Sequence, residues 1–179
     1  LDFAAAEPGD ERSAESMDAA RRFMRLAAPK DTVFISYSHA DAGRRDELLA
    51  ALQHELADLP ALRLWADTQI RPGEAWQHEI VRAMHRTRVA VLLVSRSFLA
   101  SSFIRSEEEP FFLKAAKASL LTVLWVNLDL DLEHQDVARG MQGLAGFQAV
   151  NARPLSRMDD RQAVWRDVAT SIERAFIHP

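Results

Sequence analysis

The chain has 179 residues, 48% hydrophobic and 27% charged, with a formal net charge of −4 and no cysteine. That length suffices for one core of ordinary size, and the acidic balance argues against a nucleic-acid binder that works through overall charge. Lack of cysteine rules out disulfides, thiolate metal sites and a thiol nucleophile, which fits a reducing, cytoplasmic setting.

In chain order, residues 1–12 read as a tail whose Glu7, Asp10, Glu11 and Arg12 break up any signal-peptide core. Over 13–27, Met17, Ala20, Met24 and Ala27 share one helical face, and Pro29 stops the helix. Residues 1–30 are thus a tail and amphipathic helix ahead of a domain at 31–179. Strand periodicity gives Thr32–Ser36, with a helix over about Arg44–Ala57 in which Leu48, Leu52 and Leu56 recur. Leu62–Trp65 reads as an edge strand because Arg63 interrupts it. A polar loop through Pro72-Gly73 leads to a helix from about Glu74 with Trp76, Ile80 and Met84 on one stripe. Val89–Val94, apolar throughout, predicts a strand buried on both faces. A helix over Ser101–Lys117, a strand over Leu120–Val126, a looser acidic stretch over Asp129–Gly146 and a short fifth strand at Phe147–Val150 follow. The last helix starts at Asp159 or Asp160 and carries Val164, Val168, Ile172 and Phe176. This alternation predicts an α/β fold, a doubly wound five-stranded parallel sheet with helices on both faces. No apolar run approaches the ~18 residues of a membrane span, and the chain opens on Leu rather than Met. It reads as a piece of a longer protein, with further domains or a sensor partner outside it.

Three stretches carry candidate chemistry. The first strand runs directly into polar groups, Phe34-Ile35-Ser36-Tyr37-Ser38-His39-Ala40-Asp41, where open α/β sheets present binding sites. Beyond the third strand, Ser95-Arg96-Ser97-Phe98-Leu99-Ala100-Ser101-Ser102-Phe103 leads into Glu107-Glu108-Glu109-Pro110. From spacing alone this acidic run is a solvated helix start: Ser106 with Glu109 satisfies a capping box and the macrodipole favours Glu there. After the second strand comes Trp65-Ala66-Asp67-Thr68-Gln69-Ile70-Arg71-Pro72-Gly73-Glu74-Ala75-Trp76.

Together, in this order, these stretches resemble the Toll/interleukin-1 receptor (TIR) domain family, particularly its bacterial members, over about Thr32 to Ile177. The resemblance implies a flavodoxin-like TIR fold. It also implies cleavage of NAD+ as substrate, with no cofactor, in self-limiting bacterial immune defence switched on by homotypic TIR–TIR assembly. In the related motif F-I-x-x-x-E-L-P, Glu108 takes the Glu position, Glu109 replaces the Leu and Pro110 is kept; counting from the aromatic, as other TIR domains do, selects Glu107 instead. Glu108 is preferred as the catalytic carboxylate, expected at a solvent-facing rim where it adds little to stability. Ser36, Ser38, Asp67, Trp76 and Phe103 are expected around the substrate. Trp76 has two open readings, stacking on a base or packing in the core; Ser36 can instead satisfy turn backbone, and Trp65 reads as packing.

Cleaving the nicotinamide–ribose bond builds oxocarbenium character on the ribose, which one carboxylate can stabilise. His39, His54, His78 and His85 lack ligand spacing, so no metal is expected. Asp129-Leu130-Asp131 resembles the carboxylates of Toprim domains without their partner Glu after the first strand, and Ser95 stands where receiver domains need Asp. Direct nucleic-acid or membrane contact is not expected. The alternative function is a non-catalytic interaction module acting through TIR–TIR contacts.

Overall fold

A computed structural model of the chain describes residues 29–59, 61–66, 76–134, 140–144 and 146–177, without the side chains of residues 76–78. The predicted helix at 13–27 and most of the loop after the second strand lie outside these. Residues 31–179 form one unit and 1–30 another.

The elements of the larger unit are β1 (Thr32–Tyr37), α1 (Ala42–Glu55), β2 (Arg63–Trp65), α2 (Trp76–Arg86), β3 (Thr87–Val94), α3 (Arg96–Ala100), a π turn (Ile104–Glu108), α4 (Glu109–Lys117), β4 (Thr122–Asn127) and α5 (Arg161–Ile177). All strand pairs are parallel, in the order β2-β1-β3-β4. The apolar runs of β1 and β3 occupy the two central positions, and β2 with its exposed Arg63 lies at an edge. Below β1, the Asp31 carboxylate accepts from Arg86 and pairs with Arg63 at 3.5 Å, tying β2 and α2 to the foot of the sheet.

Strand alternation divides the interior into two cores. Val33, Ile35, Val89, Val91 and Leu93 pack with Leu48 and Leu52 of α1 and with Val164, Trp165, Val168 and Ile172 of α5. Phe34, Ala90, Leu92 and Trp125 face the other way, onto Ile80 and Met84 of α2, Phe98 of α3 and Phe112 of α4. Full burial of each large side chain contributes about 1.5–3 kcal/mol. On this second face Trp65 stacks on Phe34 with ring centroids 4.3 Å apart, and Phe112 lies 4.8 Å away on a tilt. Trp65 therefore packs. Asp160 starts α5, its Oδ1 accepting from Ala163 N at 3.1 Å.

Two elements differ from the sequence expectation. The fifth strand shrinks to one bridge between Trp125 and Ala149. Its place in the ladder is taken by a side chain: the Asn151 amide accepts from Asn127 N at 2.9 Å and donates to Asn127 O at 2.8 Å, imitating a peptide group. The helix expected over Ser101–Lys117 is present over residues 102–117, but it contains a π turn and is preceded by a separate short helix. Ser95 Oγ accepts from Phe98 N at 3.0 Å to start the short α3, and Ser101 leaves helical geometry. The chain re-enters through the π turn, where Glu109 N donates five residues back to Ile104 O. Pro110 has no N–H with which to close an α bond to Ser106, which suits a widened turn there. Ser106 thus sits inside the turn, and its capping box with Glu109 does not form.

Candidate active site

Ser36 lies two residues beyond Phe34 and shares its face of β1, the face covered by the π turn and α4. Its hydroxyl donates to Glu108 Oε2 at 2.5 Å. Ser36 is 1% exposed and Glu108 6%. This is a short hydroxyl–carboxyl hydrogen bond, at the lower end of the O–H···O range. Glu108 is therefore buried, and the expectation of a rim carboxylate is corrected. The cause is the π turn, which rotates Glu108 inward while Glu107 stays exposed. The Ser36 hydroxyl donates to a side chain rather than to turn backbone.

The other expected residues divide between the described region and what lies beyond it. Ser38 is half-buried with extended backbone, continuing from β1; its carbonyl accepts from Asp41 N at 2.7 Å. Phe103, just before the π turn, is half-buried against the core that contains Phe34 and Phe112. Asp67 lies outside the described residues, as does the Trp76 side chain; the Trp76 backbone begins α2.

Two groupings went unassigned in the sequence. At the carboxyl ends of β1, β3 and β4, Ser95 Oγ donates to Asp41 Oδ2 at 2.6 Å, and Asp129 Oδ1 accepts from Arg96 N at 3.1 Å. Burial, and then the Asp129 charge, push the Asp41 carboxyl above its ordinary range against the opposing Ser95 bond and Arg44. Asp129 is thus engaged at the start of α3, and among the described residues no group of three or more His, Asp or Glu side chains is arranged to hold a metal ion. The second grouping centres on Glu109, which is 5% exposed beside Arg105 and Gly143. Sequence spacing could not find it, because an α-helical register would send Glu109 back to Ser106. Pro110 was the available signal that the register changes.

A family model described as TIR domain matches residues 33–166. Over 72 residues the chain is 38% identical to the uncharacterized protein y4lF of Sinorhizobium fredii (strain NBRC 101917 / NGR234), which covers 40% of this chain and 22% of that relative's length. Among solved structures, the TIR domains of the activated Roq1 resistosome that directly recognizes the pathogen effector XopQ superpose with a TM-score of 0.58 at 19% identity, covering 79% of this chain and 98% of that one. That likeness concerns the fold, and among the described residues no helix is long and apolar enough to cross a membrane. With its parallel sheet, its helices on both faces and a family match spanning most of its length, the chain belongs to the TIR domain family.

Proposed function

We propose that this TIR domain cleaves the nicotinamide–ribose bond of NAD+, giving nicotinamide and ADP-ribose or a cyclic isomer. The observation that carries the reading is the buried Glu108 carboxylate, oriented by Ser36 at 2.5 Å where β1 ends. As the glycosidic bond breaks, its electron pair leaves with nicotinamide as a neutral base, so departure needs no general acid. The positive charge left on the ribose is stabilised by Glu108, which also orients the ribose hydroxyls. Water then adds to the anomeric carbon and releases a proton; when an adenine nitrogen adds instead, the product is cyclic. Ser38, Asp67, Trp76 and Phe103 complete the substrate surface in this reading. Incubation with NAD+ and separation of the products tests it directly, and absence of nicotinamide release by assembled protein overturns it.

In this scheme Ser36 orients the carboxylate. Ser36→Ala is expected to lower kcat about 10–100-fold, the effect of losing one hydrogen bond to a charged group. Steady-state kinetics check this, and an unchanged kcat would remove Ser36 from the mechanism. Metal has no step in the scheme, because charge stabilisation comes from Glu108. EDTA is expected to leave turnover unchanged; inhibition reversed by Mg²⁺ or Mn²⁺ would redirect attention to Asp129 and Asp131.

The domain acts in this proposal as a self-associating defence enzyme in the bacterial cytoplasm, with other domains or a sensor supplying the trigger. Support for assembly comes from the Roq1 TIR domains, which belong to a resistosome. A second reading, an interaction module that assembles without turnover, draws on Glu109 standing where the related motif has Leu. It predicts self-association with no nicotinamide release.

A further inference from the structure

Glu109 is a buried carboxylate that the cleavage scheme does not use. Among the described residues its Oε2 has no hydrogen-bond partner, and Arg105 Nε lies 3.6 Å from it. Its Oε1 lies so close to Gly143 that a Cβ added there would sit 2.6 Å away. Arg105 also donates from its guanidinium to Gly140 O at 3.1 Å, and Gly140 is seated on Leu99 of α3, whose Cδ1 would lie 3.1 Å from an added Cβ. The same short segment sinks Met141 and Leu144 into the core. Arg105 and Glu109 thus grip residues 140–144 from the two ends of the turn that carries Glu108. A π turn is an uncommon, locally strained piece of helix that depends on its surroundings.

The grip is costly. Burial raises the Glu109 carboxyl above its ordinary value, and Arg105 opposes this without cancelling it. Leucine would pack there without that penalty, so the carboxyl is a local rule broken beside a site, where stability is commonly traded for function. We propose that the Arg105–Glu109 clasp fixes residues 140–144 against the π turn and so positions Glu108, making Glu109 a positioning residue for the NAD+ cleavage proposed above, on which its catalytic consequence rests.

Among the described residues, Arg105 is the charged group paired with Glu109. Residues 140–144 contain no ionisable side chain, α3 presents Leu99 to that segment, and Leu113 is the α4 neighbour that also touches Gly143. Because the folded-state pKa of Glu109 is raised, its contribution to stability is fully present below the unfolded value and is lost as pH rises through the folded one. Substitution by Leu should therefore be least stabilising in acid and most stabilising at neutral to alkaline pH.

The test compares wild type, Glu109→Leu and Glu109→Gln by amide hydrogen exchange, by melting temperature across pH, and by kcat and KM. In Glu109→Leu, exchange in 104–108 and 140–144 should rise about tenfold, the effect of one lost charged contact. Its melting temperature should rise relative to wild type as pH increases, while kcat falls about tenfold with KM within about twofold. Glu109→Gln, which keeps the shape and an acceptor, should fall between. Unchanged exchange in Glu109→Leu overturns the clasp; faster exchange with unchanged kcat overturns the positioning role. If Glu109→Leu does not fold, Gly143→Ala presses on the same carboxylate from the other side and should reproduce the exchange and kcat changes. A wild-type protein that releases no nicotinamide defeats the cleavage reading and with it the catalytic role, while the exchange result still decides the clasp.

Discussion

Glu108→Gln is expected to reduce NAD+ turnover about 10²–10³-fold or more, the scale of removing the group that stabilises developing charge. Gln is the informative substitution because Glu108 is buried. Glu108→Ala would leave the Ser36 hydroxyl without its acceptor, costing about 1–3 kcal/mol and confusing folding with chemistry. Gln keeps the volume and an oxygen for Ser36 but has no charge for the ribose. Glu107→Gln, at an exposed position of the same turn, should leave kcat within about twofold, since isolated surface charges contribute little. Initial rates of nicotinamide release decide it. Full activity in Glu108→Gln with loss in Glu107→Gln would transfer the role to the outer carboxylate, and retention in both would end the one-carboxylate mechanism.

Specific activity should fall steeply on dilution, about 10–100-fold across a hundredfold range that spans the assembly equilibrium. The basis is the stretch Thr68–Trp76, polar, with Pro72-Gly73 at its centre and close in sequence to the end of β2. If self-association completes the site through this stretch, an isolated subunit turns over slowly and an assembled one fast. Light scattering on the same samples supplies the mass. Constant specific activity while the mass drops to that of one chain would contradict the proposal, and a crowding agent should restore rate and mass together.

Much of the architecture was legible because it follows from period and position. The unbroken apolar run Val89–Val94 predicted a central strand, and β3 lies between β1 and β4. Arg63 predicted an edge, and β2 is one. Phe34 and Ser36, two apart, had to share a face, which is why the hydroxyl meets whatever covers Phe34. The fifth strand was over-read: Phe147–Val150 has the composition of a strand, but composition does not reveal that Asn151 will bond Asn127 through its side chain. Around the triple Glu, periodicity gave a helix and missed the widened turn. That one change of register determines which carboxylates are buried, turning a run of three similar residues into one exposed and two buried side chains facing different partners. Asp67 and the Trp76 side chain stand where the sequence reading left them, beyond the described residues.

The Asn127–Asn151 pairing also bears on how the protein avoids polymerising. A sheet ending in a long regular strand offers a row of free backbone groups to another chain and can grow edge to edge into fibres. Here the border beyond β4 makes one backbone bridge before an amide side chain takes over, and the chain turns away through Pro154. No template of useful length remains on that side. On the β4 side, then, an incoming strand meets a side-chain amide where a regular border would offer the next peptide group.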